Sequence, residues 1–154
     1  MLAEQEIQEI NAELAHCATK ASASVEALNI VQRHRGWVSD EAVKDVATML
    51  DMTPDELDAV ATFYSFIFRK PVGRHVILIC DSISCWVVGY HPLLDHLETQ
   101  LGITFGGTTD DKRFTLLPVS CLGACDRAPA MMVDDDLYGP VAQEMVDGIL
   151  RKYE

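Results

Sequence analysis

Apolar residues recur at helical spacing through the first 70 positions. Ile7, Ile10 and Leu14 stand at i, i+3 and i+7 and predict an amphipathic first helix. Ser22 or Ser24 can cap a second helix that carries Leu28 and Val31 inward and ends at Gly36, a residue free to adopt the left-handed conformation that closes helices. A third opens at Ser39, with Asp40 and Glu41 at the positive end of its dipole and Val43, Val46, Ala47 and Leu50 on one stripe. Thr53-Pro54-Asp55-Glu56 supplies an N-cap, a proline at the first helical position and a capping-box glutamate together. It predicts a fourth helix burying Leu57, Val60, Ala61 and Tyr64. Residues 1–70 therefore read as a small helical bundle.

The period changes at Pro71-Val72-Gly73, where Arg69, Lys70 and Arg74 also make the chain locally basic, and a domain boundary is placed there. Residues 75–79 form a short β-branched run that predicts a strand, and Leu93, Leu94, Leu97 and Leu101 give a helical stripe closed by Gly102. Residues 114–119 predict a second strand, with Pro118 restricting it to a sheet edge or a strand end. Residues 131–133, a turn at Asp134-Asp135-Asp136 and Leu137-Tyr138 predict a hairpin, followed by a last helix over about residues 140–152. Residues 71–154 read as a second, α/β domain.

Composition narrows the function. A chain of 154 residues, 49% hydrophobic and 23% charged, can bury a sizeable core and has no need of disulfide staples. Its formal charge is -12, and each half, divided at residue 70, holds 12 acidic and 6 basic residues. So even a distribution repels nucleic-acid phosphates and anionic lipid. The third and fourth predicted helices resemble a helix-turn-helix, but Asp55, Glu56 and Asp58 crowd the end that would have to enter the major groove. The amino terminus has neither the basic start nor the apolar stretch of a signal peptide, and the longest clean apolar run, residues 76–80, is far too short to span a bilayer. No glycine-rich dinucleotide fingerprint is present. Five cysteines, an odd number without a secretory signal, point to reduced thiols or metal ligands.

Four of those cysteines form two close pairs. Cys80 and Cys85 have four residues between them, Cys121 and Cys125 have three, and each pair begins where a predicted strand stops. If the strands are parallel neighbours, both loops leave the sheet at one edge, where α/β folds place ligands. Three readings compete at this point. Buried core cysteines sit poorly beside Asp81, Ser82, Ser84, Gly123 and Asp126. A four-cysteine zinc site and an iron-sulfur cluster both accept the spacing; the small residues Ser82, Ser84, Gly123 and Ala124 leave room for bridging sulfides and offer N–H groups to them.

The segments Cys80-Asp81-Ser82-Ile83-Ser84-Cys85 and Ser120-Cys121-Leu122-Gly123-Ala124-Cys125, with Ala128-Pro129-Ala130-Met131-Met132-Val133 downstream, resemble the thioredoxin-like 2Fe-2S ferredoxin family. The likeness is greatest to its members in NADH:quinone oxidoreductase, respiratory complex I. It extends upstream through Ala27-Leu28-Asn29-Ile30-Val31-Gln32, Arg35-Gly36-Trp37-Val38 and Val60-Ala61-Thr62-Phe63-Tyr64-Ser65, and covers about residues 22–134. The resemblance implies a helical bundle followed by a thioredoxin-like domain, with one 2Fe-2S cluster held in two loops by Cys80, Cys85, Cys121 and Cys125. It also implies a one-electron carrier lying against a partner that binds FMN and NADH, among further iron-sulfur subunits. Hydride chemistry would belong to that partner, and this chain would sit in the cytoplasm, peripheral to the inner membrane through other subunits. The corresponding subunit of an NAD-dependent formate dehydrogenase or bidirectional hydrogenase is the near alternative; a zinc-binding interaction module is the distant one.

The remaining chemistry-bearing residues carry weaker expectations. Residues 62–68 include four aromatics, too many to face inward from one short helix, so part of this run and the basic residues Arg69, Lys70 and Arg74 are expected to meet the flavin-bearing partner. Cys17 is expected to be an inert structural thiol, Trp86 either a shield over the cluster or a packing residue, and residues 134–136 a solvated turn. His16, His34, His75, His91 and His96 are scattered and read as solvated or locally bonded.

Overall fold

The fold is described from a computed structural model covering residues 1–153. The chain divides into two compact units, Met1–Pro71 and the remainder from Val72. The first holds four α-helices: α1 (Glu4–Leu14), α2 (Ser24–Arg35), α3 (Asp40–Leu50) and α4 (Pro54–Phe63), with a 3₁₀ turn at Lys20–Ala23. Their punctuation follows the local chemistry. Ser39 accepts from the Ala42 N–H, and Thr53 and Glu56 form the reciprocal capping box. Gly36 closes α2 at φ 80°, a conformation that costs glycine nothing. Ile10, Leu28, Val31, Val43, Val46, Leu50 and Leu57 fill the core between these helices.

Three features of this unit depart from the periodicity. Ile7 is half out in solvent, while Glu6 is only 1% exposed. Arg35, 29 residues on, donates to both Glu6 oxygens at 2.6 and 2.5 Å, so the buried carboxylate is paired rather than stranded. Tyr64 ends α4 instead of packing under it and is 45% exposed, beside Phe63 at 78% and Phe66 at 46%. The Gln32 side chain fixes that segment, donating to the Phe66 carbonyl (2.8 Å) and accepting from the Phe68 N–H (2.6 Å), which leaves the three rings outside. Arg69 is not a free surface cation: it bonds Asp58 (2.9 Å), Asp40 (2.7 Å) and the Val38 carbonyl. Lys70 and Arg74 are exposed. Cys17 is half-buried against the helical core, its thiol raised above the ordinary range by burial and by the Glu13 carboxylate, which suits an inert role.

The second unit is a four-stranded mixed sheet in the order β2-β1-β3-β4, built from β1 (His75–Cys80), β2 (Phe114–Val119), β3 (Met131–Val133) and β4 (Asp136–Tyr138). β1 and β2 are parallel, β1 and β3 antiparallel, and β3 and β4 form the expected hairpin. β2 is an edge strand, and Pro118 is exposed on it, as a residue without an N–H requires. Helices α5 (Ile83–Val88) and α6 (Tyr90–Leu101) make the crossover from β1 to β2; α7 (Gln143–Leu150) follows β4 and ends in a 3₁₀ turn at Arg151–Tyr153. Ile77, Ile79, Phe114, Leu116 and Met131 of the sheet pack with Leu93 and Leu97 of α6 and Val146 and Ile149 of α7. The acidic turn at 134–136 is structural rather than merely solvated. Asp134 accepts from the Val76 N–H (2.9 Å) and pairs with the His75 ring (2.6 Å), and Asp136 accepts from the Tyr153 hydroxyl (2.6 Å). Among the described residues, no helix is long and apolar enough to cross a membrane.

Removing Arg35 would leave Glu6 buried without its cation. Arg35→Ala is expected to destabilise the chain by about 2 to 3 kcal/mol in urea unfolding at neutral pH, less than a fully dry ion pair because Arg35 keeps partial solvent contact. The Arg35 hydrogen bonds hold the Glu6 carboxyl below its ordinary 4.5 against the opposing effect of burial. Its contribution is therefore complete above that value and lost as pH falls through the lower folded one, so the deficit of the variant should narrow in acid. A deficit independent of pH would contradict the assignment.

Candidate metal centre

The site is built by strand register. β1 and β2 run parallel with Cys80 opposite Val119, and the Asp81 N–H donates to the Val119 carbonyl (2.8 Å), so both chains leave the sheet at the same end. From there β1 leads to Ser82, the N-cap of α5, and β2 leads to Cys121. Cys80 is the last residue of β1, and Cys85 lies inside α5 rather than in a loop. The apolar run Ile83-Ser84-Cys85-Trp86-Val87-Val88 is long enough for a turn and a half of helix, a signal too short for its periodicity to reveal. Cys121 stands in irregular chain after β2, and Cys125 opens a 3₁₀ turn, Cys125–Arg127, closed by the Arg127 N–H on the Ala124 carbonyl (3.0 Å).

The four thiols share one neighbourhood but not one environment. Cys80 and Cys85 are buried, in a small cluster with Ala124 and Ala130, whereas Cys121 and Cys125 are exposed. Burial raises the Cys85 thiol above its ordinary range; the Ala130 N–H offsets part of this, and the adjoining thiols of Cys80 and Cys125 reinforce it. The Cys121 thiol is lowered, first by the Gly123 N–H, which reaches its sulfur at 3.3 Å, and then by contacts with Cys125, Cys80 and the Ser82 hydroxyl. The two pairs are therefore neighbours: Cys80 lies beside Cys121, and Cys125 is near enough for its charge to act on Cys85. Gly123 takes φ 73°, the left-handed conformation that turns its N–H back onto Cys121.

This donor set is made of four thiols, with small residues and sulfur-directed N–H groups around it, and it fits an iron-sulfur cluster. Among the described residues no three or more His, Cys, Asp or Glu side chains are set to hold a single metal ion, an arrangement that a cluster with two thiolates per iron does not demand. Trp86 is half-exposed, its ring edge-on to His91 at 5.7 Å, on a helix that also exposes Ile83, Val87 and Val88. His75 pairs with Asp134, His34 with Glu9 and His96 with Asp147, so these rings have local partners away from the thiols.

Comparison with known proteins identifies the family. The family model for the thioredoxin-like [2Fe-2S] ferredoxin matches residues 7–154. The E subunit of the NADH-quinone oxidoreductase of Pseudomonas aeruginosa is 48% identical over 153 residues, 99% of this chain and 92% of that protein. Its counterpart in Escherichia coli is 46% identical, with the same coverage of both chains. Among solved structures, an NAD+-reducing [NiFe]-hydrogenase in its air-oxidised state superposes with a TM-score of 0.71 and 26% identity over 85% of this chain. This chain spans 22% of that hydrogenase chain.

The unequal environments predict unequal reactivity. In the metal-free chain at neutral pH, an alkylating reagent should modify exposed Cys121, whose thiol is lowered, well before buried Cys85, whose thiol is raised. Peptide mapping over a time course measures the order, and equal rates would contradict the described site.

Proposed function

The chain belongs to the thioredoxin-like [2Fe-2S] ferredoxin family, and from that premise we propose that it is the electron-carrying E subunit of an NADH:quinone oxidoreductase. Its single 2Fe-2S cluster is held by Cys80, Cys85, Cys121 and Cys125. The observation that carries this reading is the parallel register of β1 and β2, which brings the two cysteine-bearing segments out at one end of the sheet with their thiols as neighbours. The NADH-quinone oxidoreductase relatives, alike over 99% of the chain, support the assignment to this complex over the hydrogenase-type alternative.

When bound, the cluster supplies one-electron exchange without bond rearrangement in the protein. This chain's residues supply the surroundings. The four thiolates would hold the irons, Cys80 and Cys85 lie buried with Ala124 and Ala130, and the N–H groups of Gly123 and Ala130 would offset negative charge on sulfur. The hydride step and the FMN and NADH sites belong to a partner subunit, with further iron-sulfur subunits beyond it. The exposed rings of Phe63, Tyr64 and Phe66, with Lys70, are the surface the helical unit offers to that assembly, and Arg74 is an exposed cation of the second unit; Arg69 is already spent inside the helical unit. The complex holds the chain peripherally on the cytoplasmic face of the membrane.

Anaerobic purification should yield a coloured protein with two irons per chain and an electron paramagnetic signal after one-electron reduction. Cys121→Ser should alter that signal or lower iron content. A colourless protein carrying one zinc, or an unchanged spectrum in Cys121→Ser, would overturn the reading. Affinity capture of the tagged chain should bring down a flavoprotein that oxidises NADH; capture of hydrogenase or formate dehydrogenase subunits would move the chain to that complex.

A further inference from the structure

The segment that supports Cys125 from behind lies outside every cysteine motif. Gly139 follows β4 directly, and its backbone lies against the turn Cys125–Arg127. A Cβ placed on Gly139 would fall 2.3 Å from the Arg127 carbonyl oxygen and 3.1 Å from the Arg127 Cβ. The carbonyl would have to retreat by about 0.7 Å to reach even a tight 3.0 Å contact, the difference between the two distances. The obstacle is backbone, which cannot swing aside as a flexible side chain does. Two residues on, the buried Val141 donates its N–H to the Pro129 carbonyl at 2.9 Å. The Cys125 segment is thus pressed at Arg127 and tied at Pro129 by one stretch, residues 139–141. Beyond Pro129, the Ala130 carbonyl accepts from the Cys80 N–H (3.1 Å), which links the same segment to the opposite cysteine pair.

We infer that Gly139 is a positioning residue for the metal centre: the absence of a side chain there sets where the Cys125 turn lies relative to Cys80 and Cys85. The inference rests on the four-cysteine reading above. Arg127 is two residues from Cys125 within a three-residue turn, so a displaced Arg127 carbonyl carries the Cys125 thiol with it. Displacing one of four ligands changes the symmetry and the stability of the cluster without removing any donor atom.

The test uses the full chain purified anaerobically with its cluster. Gly139→Ala is expected to keep two irons when fresh, to change the electron paramagnetic signature of the reduced cluster, and to lose iron to a chelator about tenfold faster. Gly148→Ala, where a Cβ meets open space in α7, is the control and should match the unmodified protein. Val141→Pro removes the N–H given to Pro129 without placing a side chain against Arg127, and should shift the signature in its own right; it decides the matter if Gly139→Ala does not fold. A wild-type signature and rate of iron loss in Gly139→Ala, or in Val141→Pro where that variant decides, would overturn the inference. So would loss of the whole fold in both while Gly148→Ala folds, because residues 139–141 would then support the sheet and not the ligand turn. An unmodified protein without a cluster would instead defeat the four-cysteine reading itself.

Discussion

The parallel pairing of β1 with β2 is the constraint on which the rest of the candidate metal centre depends. Residues 80 and 119 are partners in the ladder, so Cys80 and, two residues past Val119, Cys121 emerge side by side. The register is held by burial. Ile77 and Leu116 are partners, and with Ile79 and Phe114 they face one core shared with α6 and α7. A slip of one residue would turn those side chains to the other face and shift the second pair by about 3.3 Å relative to the first. The same apolar runs that build the sheet therefore determine whether four sulfurs meet.

The site is asymmetric by construction. Cys80 ends a central strand and Cys85 faces inward from a short helix whose other side is open to solvent; both thiols are buried. Cys121 and Cys125 lie on the exposed side, one stabilised by a left-handed glycine and the other on a tight turn. A cluster held by these thiols, gaining and losing one negative charge, would have buried ligands on one flank and exposed ones on the other. Backbone N–H groups directed at sulfur on both flanks, from Gly123 and Ala130, moderate the cost of that charge.

The helical unit gains definition from polar residues that bridge long sequence separations. Arg35 reaches Glu6, Gln32 reaches both Phe66 and Phe68, and Arg69 reaches Asp40, Asp58 and the Val38 carbonyl. Arg35 satisfies a carboxylate that burial would otherwise strand, and Gln32 and Arg69 hold the chain at and beyond the end of α4, where Phe63, Tyr64 and Phe66 remain outside. An exposed aromatic cluster held this firmly costs little further ordering when another surface covers it.

Much of this was legible along the chain because its cause is local. Capping chemistry at Ser39 and Thr53, the left-handed stop at Gly36, the apolar stripes of α2, α3 and α6, and the hairpin after Ala130 depend on residues a few positions apart, and the sequence displays them. The two cysteine pairs following two strands were likewise visible, as was the family they resemble. Other features belong to the tertiary structure alone. Nothing near Glu6 announces that a carboxylate will be buried, since its cation is 29 residues away. Arg69 looked like a free surface charge until its partners folded around it, and Tyr64 fell off the buried stripe because Gln32 redirects the chain beyond α4. Gly139 belongs to no motif; its role exists only because the Arg127 carbonyl, 12 residues earlier, comes within 2.3 Å of where a side chain would begin. Short-range periodicity and capping determined the elements, while contacts between distant residues decided what was buried, what stayed exposed and where the thiols stand.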